Sequence, residues 1–297
     1  MGSDILGFVE NPAKNLTNTL PLFIINMKKR TMCDRTEFLK MKILCIGDVT
    51  SPGGVKHLEE NLWRIRKEYA IDFCVVNAEN ASVVSTCSVQ QALTLLSAGA
   101  DVLTGGNHTL RSRGIYSLLD NESRLLRPLN YPTDVPGAGY GIYDGAGYRI
   151  LVINAMGTVY IDPTLDSPYP YIDRVLAREE GHYDFAVLDF HAEASGEKVA
   201  MGYAYDGKIQ VVFGTHTHVQ TADECILPHG TGYITDIGMC GESGGVLGMN
   251  PEGVVKRMRQ KLPIPFVPAD GHVVANGVIF TLDYATGRVT DVRRISF

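Results

Sequence analysis

Lys208-Ile-Gln-Val-Val-Phe-Gly-Thr-His-Thr-His218 runs a short apolar strand straight into a pair of histidines. Residues two apart in an extended strand point to the same face, so the spacing predicts that His216 and His218 converge on one point. Two imidazoles held there need hydrogen bonds or a metal to compensate. The pattern recurs along the chain. Strand candidates at 42–47, 72–76, 101–104 and 184–190 run into Gly47-Asp48, Asn77-Ala-Glu79-Asn80, Gly105-Gly-Asn107-His108 and Asp189-Phe-His191-Ala-Glu193. In open α/β sheets, ligands bind in the crevice outside the carboxyl ends of the strands. Five strands therefore carry Asp, Glu, Asn and His to one location, with four of the eight histidines among them.

Between the first two strands, Leu58, Leu62, Ile65 and Tyr69 recur on one helix face. Residues 89–98, 171–179 and 251–261 read as further helices, and 148–154 as another strand. Such alternation favours parallel strands joined by crossover helices. Hairpins are expected around Asp144-Gly-Ala-Gly147, Asp206-Gly207 and Ala285-Thr-Gly-Arg288. The fold class is α/β, with a mixed sheet or two sheets packed face to face and helices outside. Trp63, beside the apolar face of its helix, is assigned to the core. His57, His182, His229 and His272 have no partner pattern and read as surface or loop residues.

The 297 residues carry 27 basic and 33 acidic side chains, a net charge of −6. That balance argues against a nonspecific nucleic-acid binder, which would show a basic excess. A chain this long can bury roughly 75% of its unfolded surface without disulfides. The six cysteines are widely spaced with no Cys-x-x-Cys pair, which suits a reducing compartment. No run approaches the ~20 apolar residues of a membrane span. Leu20-Pro-Leu-Phe-Ile-Ile-Asn-Met27 is too short, and its basic cluster follows the apolar part rather than preceding it. A cytoplasmic location is expected.

Residues 1–40 are aperiodic and broken by Asn-Pro and Leu-Pro. They read as an N-terminal extension, either disordered or the product of a start assigned upstream of Met41. Residues 41–297 read as one domain. The first 40 residues hold six basic and four acidic side chains, so the remainder carries −8.

Carboxylates, carboxamide oxygens and imidazoles together suit Mn, Fe or Zn better than Ca or Mg. Six or seven ligands exceed one tetrahedral zinc, so two ions sharing a carboxylate is the economical count. Two ions about 3.5–4 Å apart form a clamp for displacement at phosphorus. The chemistry expected is hydrolysis of a phosphate ester.

On these residues the chain resembles the metallophosphoesterase superfamily, and within it the bacterial YmdB-like family of 2′,3′-cyclic-nucleotide phosphodiesterases. The matching segments are Gly47-Asp48-Val49, Asn77-Ala-Glu-Asn80, Gly106-Asn107-His108, Asp189-Phe-His-Ala-Glu-Ala194, Gly214-Thr-His-Thr-His-Val-Gln-Thr-Ala-Asp223 and Tyr233-Ile-Thr-Asp-Ile-Gly-Met239. The resemblance spans Met41 to the C-terminus. It implies two mixed β-sheets packed as a sandwich flanked by helices, the calcineurin-like metallophosphoesterase fold. It also implies Asp48, Glu79, Asn80, Asn107, His191, His216 and His218 as metal ligands, with Glu79 bridging two transition-metal ions. The superfamily's Asp-x-His becomes Asp48-Val49-Thr50 here, and Asn80 is the expected substitute. The loop 81–87 and Thr109-Leu110 after His108 depart from the family pattern and bear on substrate choice.

The resemblance implies in-line attack by a metal-bound hydroxide, with His108 as general acid. Asp189 and Glu193 flank His191 as orienting groups or as plain surface charges. The expected partner is a small-molecule phosphodiester, with no membrane and no stable nucleic-acid binding; self-association into a homo-oligomer is left open. Rival readings are a phosphomonoesterase of the 5′-nucleotidase type, a regulatory protein retaining the metal site, and a metal-dependent RNA cleaver.

Overall fold

The alternating strands and helices of the sequence build two mixed sheets in a computed structural model that describes residues 40–82 and 86–297. What was expected of residues 1–39, Cys33 included, lies outside the described residues. The strands are β1 (Lys40–Ile46), β2 (Asp48–Val49), β3 (Phe73–Asn77), β4 (Val102–Thr104), β5 (Tyr140–Gly145), β6 (Tyr148–Met156), β7 (Phe185–His191), β8 (Val211–Thr215), β9 (Cys225–Ile226), β10 (Gly232–Ile234), β11 (Met239–Glu242), β12 (Val273–Asp283) and β13 (Val289–Ser296). One sheet has the order β2-β11-β12-β1-β3-β4, with β13 added on β12. The other runs β5-β6-β7-β8-β10-β9. β1, β3 and β4 are parallel in the first sheet, and β6, β7, β8 and β10 are parallel in the second.

Period-two alternation divides the apolar residues between layers. Ile43 and Cys45 of β1 face inward, packing with Phe73, Val152, Val187 and Phe213 between the sheets. Their neighbours Leu44 and Ile46 face the helices, α1 (Pro52–Tyr69) and α2 (Val89–Ser97). On the far side of the second sheet, Leu151, Ile153 and Leu188 pack on α4 (Tyr169–Arg178) and α5 (Ser195–Ala204). α3 (Tyr116–Asn121) and α6 (Pro251–Gln260) complete the helices among the described residues. The result is a sandwich of two sheets flanked by helices, as the resemblance implied.

α1 starts where its sequence dictates: the Ser51 hydroxyl accepts the Gly54 N–H at 3.0 Å, and Pro52 opens the first turn. Leu58, Leu62 and Ile65 form its buried face. Trp63, assigned to the core from sequence, is instead 54% exposed. Its ring lies over Arg66 and its N–H reaches the Ser97 carbonyl, so a polar edge contact holds it at the surface.

The hairpins around 144–147 and 285–288 are present as β5–β6 and β12–β13. The one around Asp206-Gly207 is not. The chain there leaves α5, turns through Gly207 at φ 81°, and enters β8 parallel to β7. Glycines 196 and 202 obscure α5 in the sequence. Gly202 is required by packing, because a Cβ there would stand 2.6 Å from the Tyr233 ring.

Candidate metal centre

The first sheet delivers Asp48, Glu79, Asn80 and Asn107 at the ends of its strands, and the second delivers His191, His216 and His218. All seven meet at the seam between the sheets. His191 Nε2 lies 3.1 Å from His216 Nδ1 and 3.2 Å from Asn107 Oδ1, with Glu79 Oε1 at 3.9 Å. On the other side, Asp48 Oδ1 lies 3.8 Å from His218 Nε2 and 3.9 Å from His191 Nδ1.

Three local devices bring them there. Beyond β3, the Asn77 side-chain oxygen accepts the Glu79 N–H at 3.0 Å and folds the chain back. Beyond β4, Gly106 leaves room for an imidazole: a Cβ would sit 2.2 Å from His191 Nε2. Beyond β8, His216 and His218 adopt φ of 97° and 64°. Their convergence is therefore the work of a left-handed turn, not of the strand alternation expected from sequence, because β8 ends at Thr215.

Asp189 ties the two sheets together. It is fully buried on β7 and accepts hydrogen bonds from Asn77 Nδ2 of β3 at 2.9 Å and from Thr104 Oγ1 of β4. It also accepts the Thr215 hydroxyl at 2.7 Å. With that proton committed, Thr215 Oγ1 can only accept from His191 Nδ1, 2.9 Å away. His191 thus carries its proton on Nδ1 and turns a bare Nε2 toward Asn107 and His216. Asp189 orients His191 as expected, but through Thr215. Glu193 stands elsewhere than expected, 3.1 Å from His216 Nε2. That contact places the proton on Nε2 and leaves the lone pair of His216 Nδ1 free. Sequence reasoning missed Thr215 and Thr104, since a strand threonine carries no motif signal.

Asn80 reaches the site with its oxygen 2.7 Å from His108 Nδ1 and its nitrogen 3.4 Å from His218 Nε2. In this orientation it steers His108. A second lone pair on the same oxygen remains for a ligand.

The electrostatics are those of a buried anionic cluster. Burial is the first cause that pushes Asp48 well above the usual carboxylate range, and the Asp236 charge adds to it. Burial likewise drives Glu79 up to about 7, against hydrogen bonds from the His108 backbone and Thr109. Burial, then the neighbouring His216, holds His191 well below its ordinary value. His218 is lowered to about 4, mainly by burial.

A metal fits this donor set. Donors bound to one ion through bonds of ~2.1 Å stand about 3.0–3.4 Å apart, which matches the spacings of His191 from His216 and from Asn107. Asp48 Oδ1 is buried without a hydrogen-bond partner, the condition of a carboxylate whose counter-ion is a cation rather than a donor. Among the described residues, no three His, Cys, Asp or Glu side chains close such a shell alone; the Asn107 carboxamide completes the tightest group. A cavity of about 360 Å³ adjoins it, lined by Asn107, Leu110, Arg111, Tyr131, Asp162 and Pro163.

A family model described as YmdB-like protein matches residues 44–295. The 2′,3′-cyclic-nucleotide 2′-phosphodiesterase of Bacillus subtilis (strain 168) is 38% identical over 255 residues, 86% of this chain and 96% of its own length. The crystal structure of a hypothetical protein from Thermus thermophilus superposes with a TM-score of 0.80 at 35% identity, covering 86% of this chain and 99% of that one. A novel phosphatase from Mycoplasma pneumoniae gives 0.81 at 32% identity, covering 87% and 93%.

Binding of a cation must displace protons held by Glu79, which burial raises to about 7, and by Asp48, which burial raises well above the usual carboxylate range, so affinity rises with pH through this region. His218, at about 4, stays neutral across this window. The Glu79 carboxyl by itself gives roughly a fivefold tighter Mn²⁺ affinity at pH 7 than at pH 6, and the raised Asp48 carboxyl steepens the rise. Calorimetric titration at pH 6, 7 and 8 reads it; a flat profile would exclude Glu79 from the binding shell.

Proposed function

The chain belongs to the YmdB-like family, and on that premise we propose that it hydrolyses phosphodiesters of the 2′,3′-cyclic-nucleotide class with two transition-metal ions. It is a phosphoric ester hydrolase, as the Bacillus subtilis relative's name states for that protein. One observation carries the metal-dependent reading. Seven donors from the strand ends of two sheets meet at one seam, with His191 at chelating separations from both His216 and Asn107.

Asp48, Asn80 and His218 would hold one ion, and Asn107, His191 and His216 the other, with Glu79 between them. The mixed oxygen and nitrogen set suits Fe or Mn, and Zn is compatible. Ions bound there would lower the pKa of water towards about 7 and draw charge from the phosphoryl oxygens.

The remaining work falls to the chain. His108 Nδ1 donates to Asn80 Oδ1, which leaves Nε2 as the atom to protonate the leaving oxygen. Its backbone N–H is anchored on Glu79 Oε1. Burial, then the charge of Arg111, lowers the ring to about 4. An arriving phosphate anion offsets the Arg111 charge and favours the protonated ring when the proton is needed. Arg111, exposed at the cavity mouth, supplies positive charge for that anion, while Leu110, Tyr131 and Pro163 offer apolar walls to a nucleoside.

Replacing His108 with Ala should leave metal content unchanged and slow turnover about 10²–10⁴-fold; elemental analysis beside steady-state kinetics checks both, and loss of metal would make His108 a ligand instead. A parallel assay of 2′,3′-cyclic AMP, bis-p-nitrophenyl phosphate and p-nitrophenyl phosphate decides the ester class. Preference for the monoester would overturn the diesterase reading in favour of a 5′-nucleotidase type.

A further inference from the structure

His216 and His218 both hold positive φ, which L residues other than glycine avoid unless the surroundings impose it. The residue between them is bound on two sides. Asp236, fully buried beyond β10, accepts the Thr217 N–H at 3.0 Å and the Thr217 hydroxyl at 2.8 Å, both on Oδ2. The same oxygen accepts Lys198 Nζ at 2.7 Å. Its other oxygen accepts the Gly238 N–H at 2.9 Å, and the Gly238 carbonyl accepts the Asp48 N–H at 3.2 Å.

We propose that the Lys198–Asp236 pair, acting through Thr217, is a positioning clamp that fixes His216 and His218 relative to Asp48. It rests on the metal-site reading above. The pair is an odd investment for stability alone. Buried ion pairs are often replaceable by apolar groups at no loss, because desolvation offsets their attraction. Here the lysine is 1% exposed on α5, and it crosses beneath the end of β8 only because residue 214 is glycine. A Cβ there would stand 2.7 Å from Lys198 Cδ and 1.9 Å from the Thr235 carbonyl. What this path achieves is a full charge beneath the turn, holding a carboxylate whose acceptor sites are spent on Thr217 and on Gly238, whose carbonyl in turn holds the Asp48 N–H. Lys198 and Asp236 touch no substrate; they act through the backbone of the two histidines.

Thr217 offers the test, since its hydroxyl can be removed without disturbing the ion pair. In the full chain, Thr217→Val should weaken Mn²⁺ binding about 10–100-fold by calorimetry. The unfolding midpoint of the metal-free protein should stay within about 4 °C of wild type. Thr217→Ser, which keeps the hydroxyl, should restore wild-type affinity. Lys198→Met should lose at least as much affinity; if it fails to fold, the Thr217 pair of variants still decides. Wild-type Mn²⁺ affinity in Thr217→Val overturns the clamp. So does an equal loss in Val and Ser variants that tracks a fall in the midpoint, since that is a structural role. Failure of the wild-type protein to bind Mn²⁺ overturns the metal site itself, and the clamp with it.

Discussion

Buried negative charge without matching positive charge is the constraint on which this structure turns. Asp48, Glu79, Asp189 and Asp236 are all at most 1% exposed, and among the described residues Lys198 is the one buried lysine or arginine ion-paired to any of them. Asp189 is satisfied by three hydroxyl and amide donors, and Asp236 by Lys198 and Thr217. Asp48 keeps a buried oxygen with no partner. Protonation of Glu79 near neutral pH relieves the metal-free protein only in part. Divalent ions at the proposed site would offset it, which would tie packing of the seam to the proposed chemistry.

Because one sheet contributes four of the donors and the other three, the packing between sheets sets the site. The core of Ile43, Phe73, Val187 and Phe213 fixes how the sheets face each other. Asp189 adds direction to that contact. Hydrogen bonds from Asn77 and Thr104 reach it across the seam, and through Thr215 it fixes the His191 tautomer. Cross-sheet packing, sheet registry and imidazole orientation thus share one carboxylate.

Much of this was legible in the sequence. Apolar runs ending in Asp, Glu, Asn and His gave both the parallel strands and the candidate ligands, because strand ends and ligand crevice coincide in α/β sheets. The convergence of His216 and His218 was anticipated for the wrong reason, since no pattern announces two left-handed non-glycine residues. Trp63 was misjudged because a position beside an apolar face does not reveal the half-buried Arg66 cation or the Ser97 carbonyl that meet its ring. Lys198 was invisible: in a short helix flanked by glycines, a lysine reads as solvated. Its burial follows from Gly214 and Asp236, both distant in sequence. Glu193 was seen, but its target changed from His191 to His216 because the turn after β8 carries that ring outward.

The most direct test of the central claim is an anomalous-difference map from crystals of the Mn²⁺-loaded protein, collected at the manganese edge. The account predicts two peaks at the seam, one against Asn107, His191 and His216 and one against Asp48 and His218, with Glu79 reaching both. A single peak, or peaks away from these residues, would contradict it.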